Sequence, residues 1–490
     1  MRRLHWVNQL IDRRQQQPDL CRHQACPGNL SACMLVVLLL LTGPALAQTE
    51  WTGASSDSWF SAANWIPQAV PTEDSVDIDV TQPNTTRVAD QATGDLNLIS
   101  IGVVNEGLLT ITDGGVVNAV DGFIAITEGS GGEVVVEGPL AHWNVSSRIR
   151  VGSQGSGKLS ITDGAQVTSN VGTVGLAASA QGVTDISGAG SKWTSTTQLV
   201  VGWSGIGVLT LQDGAALQTN NGWVGSSEGQ GSVSVTNIGS TWISDGYLII
   251  GETLGSGQFE ASHGAEISSN RARIGFSSGT GEFTLSGSGT SWSNNDTLAI
   301  GMNGGNGTLS IGNGTEVTVG STVTVGENST SSGLLIVDGQ LDTGGGLIIL
   351  ENGVVTGNGT VNGTVEINGG GALSPAGSQG TLSTGSLQLG EGGAIQFRLG
   401  GEGLERGVVQ PLLSVDGDVV LAGTLDIIDL GGLDSGEYVL MAFSGTLNDS
   451  GLEIGEVPPG FIVALDTSTT GQLGLSVTAD EIWHDRFEQD

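Results

Sequence analysis

The chain has 490 residues, of which 82 are glycine, and it carries 15 basic against 50 acidic residues, a formal net charge of −35. This charge excludes ordinary binding to nucleic acid or to an anionic membrane surface. A hydrophobic content of 38% excludes simple disorder, and Val, Leu, Ile, Thr and Ser punctuated by glycine predict an all-β protein of short strands.

The first 47 residues have the features of a signal peptide. The apolar run "MLVVLLLL" (Met34–Leu41) is followed by Ala45-Leu46-Ala47, a small-x-small cleavage pattern, and five arginines precede it. The run is far shorter than the ~20 residues of a membrane span. Residues 1–47 are therefore predicted to be a cleaved signal peptide, with no transmembrane segment after cleavage. The long basic stretch leaves open a start codon further along the chain.

Removal of this segment changes the chemistry of the chain. Its three cysteines, Cys21, Cys26 and Cys33, are lost, so neither a disulfide nor a zinc–thiolate site is expected in the mature protein. Ten basic and 48 acidic residues remain, a net charge of −38, which suits a protein that must stay soluble outside the inner membrane. We expect a secreted or cell-surface location.

Residues 98–345 repeat every 50 residues. A turn dipeptide recurs at Asp113, Asp163, Asp213, His263 and Asn313, each followed by glycine. Aliphatic-Gly pairs end at glycines 152, 175, 202, 225, 251, 275, 301 and 326, which are 23 to 27 residues apart. A half-unit of about 25 residues with three short strands is the size of one coil of a parallel β-helix. The sequence therefore predicts a right-handed parallel β-helix (β-solenoid), with ~25-residue coils paired into ~50-residue repeats.

Four tryptophans lie at the same place in successive repeats, at separations of 50, 49 and 50 residues. Aligning the half-units places them in one column with aliphatic residues between them: Val117, Trp143, Val167, Trp193, Leu217, Trp242, Ile267, Trp292 and Val317. An apolar column without polar interruptions predicts a ladder inside the solenoid, where each buried indole removes ~150–250 Å² from water. The alternative, an exposed row of aromatics that stack on sugars, does not require alternating aliphatic residues.

The repeat unit at residues 151–202 resembles the repeat shared by type V secretion (autotransporter) passengers and PEP-CTERM-associated exported proteins. The elements that carry the resemblance are G-x-L-x-I-x-x-G, the midway V-G, "SGAGSKW" and the closing L-x-V-G. The segment "WTGASSDSWFSAANW" is similar to the entry segment of such passengers, and we expect residues 48–97 to cap the first coil. Residues 346–479 are similar to the Gly-rich end of these passengers, and residues 480–490 form a polar tail. We expect a passenger-like chain that lacks both the translocator barrel and the PEP-CTERM sorting tail.

The sequence predicts no active site. His263 occupies a turn position that is otherwise Asp or Asn, and Arg271 and Arg273 are interpreted as part of a solvated face. No catalytic residue, metal ligand or cofactor is expected, and the predicted function is non-catalytic adhesion or surface structure. The alternative is a carbohydrate-binding or carbohydrate-active β-helix, a lyase or glycosidase. Trp203 and Trp223 lie outside the ladder and are the candidate ligand-binding residues, with an extracellular glycan or cell-surface matrix as the expected partner.

Overall fold

The computed structural model describes residues 48–375, 380–400 and 412–480. Within these ranges the chain forms 43 β-strands and a three-residue 3-10 helix, Ala62–Asn64. The described residues from Thr49 onward belong to one compact unit. The predicted signal peptide at 1–47 and all but the first residue of the predicted tail lie outside the described residues. None of the described helices is long and apolar enough to cross a membrane.

Two sheets build the molecule, one of 16 strands and one of 27. In the 16-stranded sheet the spatial order follows the chain order, and the described neighbours pair in parallel. Each turn of the chain therefore adds one strand to this sheet, next to the strand of the preceding turn. This confirms the predicted all-β fold with parallel strands. The structure is a β-solenoid of about 16 turns. At ~4.8 Å per turn the solenoid is roughly 70 Å long.

The N-terminal segment packs three tryptophans together at the first turn. The rings of Trp51 and Trp65 lie 5.0 Å apart at 76°, and those of Trp59 and Trp65 lie 4.6 Å apart at 71°. The strands of this segment are β1 (Thr49–Trp51), β2 (Trp65–Ile66), β3 (Ser75–Ile78), β4 (Thr86–Ala89) and β5 (Ala92–Ile101). Because β1 pairs with β3 and β3 with β5, the aromatic cluster lies at the open end of the solenoid.

The repeat region alternates strands of the two sheets. Its 16-stranded-sheet members are β6 (Glu106–Thr112), β8 (Gly131–Glu137), β10 (Ser156–Thr162), β12 (Gln181–Ser187), β14 (Ile206–Gln212), β16 (Gln230–Thr236), β18 (Ser256–Ser262), β20 (Thr280–Ser286), β23 (Asn306–Ile311) and β26 (Ser332–Val337). Its 27-stranded-sheet members are β7 (Val116–Ile124), β9 (His142–Val151), β11 (Gln166–Val174), β13 (Lys192–Val201), β15 (Ala216–Val224), β17 (Thr241–Glu252), β19 (Glu266–Phe276), β21 (Ser291–Asn294), β22 (Leu298–Met302), β24 (Glu316–Val319), β25 (Val323–Val325), β27 (Gln340–Thr343) and β28 (Leu347–Ile349).

The prediction of three short strands per coil is wrong for the first coils of this region. In each coil from β7 to β19, the predicted second and third strands form one continuous strand of 9 to 12 residues. This strand bends at a register shift, such as the one between Ser169 and Val171. The bulge leaves a residue unpaired without ending the ladder, so the strand turns a corner. Only from β21 and β22 onward does the strand divide in two.

The nine residues of the Trp/aliphatic column lie opposite one another in register. Val117 pairs with Trp143, Trp143 with Val167, and the sequence continues without a slip to Trp292 and Val317. All nine side chains point inward, and none is more than 3% exposed.

The space for the indoles comes from a second interior column, five residues further along the coils with an aliphatic residue and six residues further along the coils with a tryptophan. Coils with an aliphatic residue in the first column have a small residue in the second, Gly122, Gly172, Gly222 or Ala272. A Cβ placed on Gly122 would lie 2.5 Å from Cζ2 of Trp143. The indole therefore covers the glycine of the preceding coil, and this alternation of large and small coils explains the 50-residue period.

A third interior column is polar from Ser169 onward and supplies acceptors to the indole nitrogens. Trp193 Nε1 donates to Oγ of Ser169 at 3.1 Å, and Trp292 Nε1 donates to Oγ of Ser269 at 2.9 Å. Among the described residues, the buried Nε1 of Trp143 has no acceptor. The corresponding position on its preceding coil is Ala119, which lacks a hydroxyl.

The coils continue to pair in parallel beyond the 50-residue repeats. The last antiparallel strands, β42 and β43, pair with each other, and β43 also pairs with β39. The strands of this part are β29 (Gly353–Gly357), β30 (Thr360–Asn362), β31 (Val365–Ile367), β32 (Ala372–Pro375), β33 (Leu382–Thr384), β34 (Leu387–Leu389), β35 (Ala394–Leu399), β36 (Leu413–Val415), β37 (Val419–Leu421), β38 (Thr424–Asp429), β39 (Gly436–Phe443), β40 (Leu447–Asp449), β41 (Glu453–Ile454), β42 (Phe461–Asp466) and β43 (Gln472–Ala479).

Candidate binding surface

His263, the histidine in the turn slot of the fourth repeat, has a backbone conformation that explains its place. Its φ is +56°, and the equivalent Asp113, Asp163 and Asp213 have φ values of +49°, +55° and +58°. Each is followed by a glycine that also has positive φ, the conformation of a tight turn between strands. Within the described residues, no group of three or more His, Cys, Asp and Glu side chains could hold a metal ion.

The outward face of the bent sheet carries the side chains that vary most between repeats. Three parallel rows of this face, which we call the outer strip, run along seven coils. The first row contains Asp121, Arg148, Val171, Gln198, Asn221, Tyr247 and Arg271. The second contains Phe123, Arg150, Thr173, Val200, Trp223, Ile249 and Arg273. The third lies just after the corner residues, which are Ala125 on the first coil and glycine on the other six, and contains Ile126, Ser153, Leu176, Trp203, Ser226, Glu252 and Phe276.

Trp203 and Trp223, the predicted ligand-binding residues, both lie in the middle of the outer strip. Trp223 is in β15, in register between Val200 and Ile249, while Trp203 is on the preceding coil in the corner row. Both side chains are half-buried. Val200 and Ile249 are 0% and 5% exposed although they point outward, so the middle of the strip is packed and apolar.

An arginine–aromatic cluster lies at the N-terminal end of the strip. The guanidinium of Arg150 lies 4.7 Å from the ring centre of Phe123, and that of Arg148 lies 5.9 Å from it. Arg148 also forms a partly buried ion pair with Asp121, with Nη2 and Oδ2 3.1 Å apart. Stacking on an aromatic face holds a guanidinium in one plane.

A second cluster lies at the C-terminal end of the strip, where Arg271 is exposed to solvent, as interpreted from the sequence, and Arg273 is partly covered by aromatic rings. Arg273 lies 4.2 Å from the ring centre of Phe276 and 5.2 Å from that of Tyr247. Arg271 pairs with Asp296 at 2.6 Å and donates to the hydroxyl of Tyr247 at 3.2 Å. Tyr247 belongs to the preceding coil, 24 residues before Arg271 in the chain, whereas Phe276 lies in the same strand as both arginines.

One carboxylate of the strip is half-buried. Burial raises the pKa of Glu252, while a hydrogen bond from Ser226 and the charge of Arg273 oppose the shift. Glu252 therefore keeps its proton to a higher pH than a solvent-exposed glutamate does.

A shallow groove of about 510 Å³ lies next to the N-terminal cluster, at the bend of the sheet. Its polar side chains form a chain of hydrogen bonds: Asn144 Nδ2 donates to Asn118 at 3.1 Å, and Thr168 donates to Asn144 at 3.3 Å. Amide and hydroxyl groups of this kind can bond the hydroxyl groups of a ligand. No sequence signal singled out these residues, because asparagine and threonine are also ordinary residues of exposed strands.

The comparisons with known proteins are limited to part of the chain. No protein-family model matches it. Over 109 residues, 21% of its length, the chain is 38% identical to the adhesin BmaC autotransporter of Brucella suis biovar 1 (strain 1330). The match spans 3% of the length of that relative. This similarity and the solenoid fold fit an autotransporter passenger.

Proposed function

We propose that the chain is an exported, non-catalytic β-solenoid that acts at the cell surface or outside the cell, in adhesion or surface structure. The observation that carries the proposal is the match to an autotransporter adhesin, whose 109 residues are the length of about two 50-residue repeats. Export through the inner membrane starts from the signal peptide at residues 1–47.

The outer face supports binding better than catalysis. The side chains that depart from the repeat there are Trp203, Trp223 and four arginines. Hydrolysis of a glycoside uses a pair of carboxylates at a fixed separation, one of which gives a proton. Aromatic faces and stacked guanidiniums instead provide contact area and fixed hydrogen-bond donors.

The location can be tested on the cells that make the protein. Intact cells are treated with a protease that cannot cross the outer membrane, and the protein is followed with an antibody. A cytoplasmic and a periplasmic protein serve as controls. We expect loss of the full-length band from intact cells, or its recovery from the medium, while both controls persist. Full protection until the cells are lysed would contradict the proposal.

The function itself needs two further measurements on the purified protein. Beads coated with it are expected to attach to cells or matrix more than beads coated with the heat-denatured protein. Incubation with neutral and acidic polysaccharides is expected to release neither reducing ends nor unsaturated products. Turnover of any polysaccharide would replace the adhesion proposal with the carbohydrate-active alternative.

A further inference from the structure

We propose that the middle of the outer strip binds a neutral, extended polymer of hexose sugars, with sugar rings on the indoles of Trp203 and Trp223 and sugar hydroxyl groups on the amide of Gln198. This inference rests on the proposed function, because a glycan outside the cell reaches the strip only if the chain is exported. It adds the chemical class of the partner and the residues that contact it.

The aromatic residues of the repeat region are divided between the interior and the outer strip. Residues 98–345 contain eleven of them, and six point into the solenoid, where each is at most 2% exposed. The other five all lie in the outer strip and are Phe123, Trp203, Trp223, Tyr247 and Phe276. Within residues 98–345 the outward surface beyond the strip has no aromatic side chain, so the strip is where this region can stack on a ring.

Trp203 and Trp223 differ from the other three aromatic residues of the strip. Among the described residues, arginines stack on Phe123, Tyr247 and Phe276 but on neither of the two indoles. Nε1 of Trp223 is buried, so the part of this half-buried indole that reaches the surface is carbon. A rigid carbon surface of this kind packs on the flat C–H face of a pyranose ring and loses little entropy on binding.

The surface around the two indoles is uncharged. The strip positions on the coils of β11, β13 and β15, which we call the central patch, are Val171, Thr173, Leu176, Gln198, Val200, Trp203, Asn221, Trp223 and Ser226. Arginines lie only at the two ends of the strip, where Asp121, Glu252 and Asp296 offset their charge. An anionic ligand therefore gains little here and is repelled by the acidic remainder of the protein, whereas a neutral ligand is not.

Gln198 provides hydrogen-bonding groups beside the indoles. It is in register with Asn221 and therefore diagonal to Trp223, two residues further along β15. The side-chain amide of Asn221 is engaged with the backbone of Thr197 and Tyr247, while among the described residues the amide of Gln198 has no hydrogen-bond partner. A carboxamide has a donor and an acceptor side by side, which match two adjacent hydroxyl groups of one sugar.

The spacing of the indoles favours an extended chain. Trp203 and Trp223 lie on successive coils, and Trp223 is three residues before Ser226, the corner residue above Trp203. At ~3.3 Å per residue and ~4.8 Å per coil, their Cα atoms are roughly 11 Å apart. This is close to the length of two hexose units, so one chain can reach both indoles. A β-(1→4)-linked glycan stays straight along a rigid sheet, whereas an α-(1→4)-linked glycan coils away from it.

A second copy of this chain is the other occupant that an apolar face suggests, and two observations disfavour it. After residue 47 the chain carries 10 basic and 48 acidic residues, so two copies repel each other. The central patch covers three coils and a width of about five residues, roughly 250 Å². A stable dimer buries about 800 Å² on each partner, whereas a few sugar rings need only a patch of this size.

The test is a calorimetric binding titration of the full chain, purified after its own export, with cellohexaose as the probe. Two comparison probes of equal length isolate the chemistry of the ligand. Maltohexaose has the same hexose units in an α-(1→4)-linked, coiled chain, and oligogalacturonate carries a carboxylate on each unit. Sedimentation of the protein without ligand shows whether copies associate.

The central variant is Trp203→Ala/Trp223→Ala, and Gln198→Ala tests the amide. The matched control is Leu140→Ala/Ile238→Ala, which removes two apolar side chains, 69% and 84% exposed, from turns outside the strip. Trp203→Phe/Trp223→Phe keeps an aromatic face at both positions and serves as the conservative replacement. Circular dichroism and thermal unfolding confirm that each variant is folded before its binding is measured.

We expect the wild type to bind cellohexaose at least about tenfold more tightly than either comparison probe, with less than about a twofold change between low and high salt. The double alanine variant should bind at least about tenfold more weakly, and the double phenylalanine variant should recover part of this loss. Gln198→Ala should weaken binding at least about threefold, while the control stays within about twofold of the wild type.

The inference is overturned if the wild type does not bind cellohexaose, binds a comparison probe equally well, or loses as much affinity in the control as in the double alanine variant. A wild type that sediments as a dimer, with a monomeric double alanine variant, would assign the central patch to a second copy instead. The titration is independent of where the protein is in the cell, so its failure with a positive protease result would refute only this inference. A protein that is protected in intact cells but binds the probe would refute only the proposed function.

Discussion

The fit between Gly122 and the indole of Trp143 explains the alternation of the coils, and it can be tested by Gly122→Ala. Gly122 lies within β7, in register with Ile99 and Ile149, so alanine suits its backbone. The three atoms nearest to an added Cβ all belong to Trp143, and the closest, Cζ2, is 2.5 Å away. Ordinary carbon–carbon contacts are about 3.5–4.0 Å, so the methyl group is roughly 1 Å too close.

The magnitude follows from two opposing effects. Overpacking of this kind costs about 1–3 kcal/mol. Replacing glycine with alanine also restricts the unfolded chain, which stabilises the protein by about 0.4–1 kcal/mol. We therefore expect Gly122→Ala to lower the free energy of unfolding by about 1–2 kcal/mol, the difference between these effects. In a Trp143→Val background, which has space for the methyl group, the same change should be neutral or stabilising.

The assay is urea unfolding followed by circular dichroism, together with hydrogen exchange of the amides in β7 and β9, because stability in a solenoid is partly local. Gly131→Ala is the matched control: it also lies in a strand, and its added Cβ would be 3.4 Å from the side chain of Glu106. A coupling energy below about 0.5 kcal/mol between positions 122 and 143 would refute the reasoning.

Three further predictions follow from the same interior and the outer strip. Ser169→Ala should lower the free energy of unfolding by about 1–3 kcal/mol, measured in urea, because the buried Nε1 of Trp193 loses its acceptor. Ala119→Ser should raise the free energy of unfolding by about 0.5–1.5 kcal/mol, because the new hydroxyl supplies an acceptor to Nε1 of Trp143. An unchanged urea midpoint would show that the hydroxyl does not reach this indole nitrogen. Burial raises the pKa of Glu252, so the folded state binds this proton more tightly than the unfolded chain, and the resulting stability is present below pH 4.5 and lost as the pH rises through the raised pKa. Glu252→Gln should therefore raise the melting temperature at pH 7 and change it little at pH 4; equal shifts at both values would exclude this explanation.

The outer strip shows where prediction from the sequence ended. The sequence places Arg271 and Arg273 on an outward face but does not show which aromatic ring of another coil contacts them. The ring of Tyr247 reaches them from the preceding coil. Outward positions have no common hydrophobic pattern, so the alignment of half-units gives no information about which of them interact. The assignment of Trp203 and Trp223 to ligand binding stays a prediction.

The sequence by itself determined the solenoid, its coil length and the register of its main interior column. In a parallel solenoid each coil lies directly on the previous one, so residues one coil length apart become neighbours, and a periodic sequence encodes its own contacts. The bend in the longer strands, the fit of each indole over a glycine and the clusters of the outer strip were decided only by the tertiary structure. These features depend on the volume and direction of side chains from different coils, which spacing along the chain does not contain.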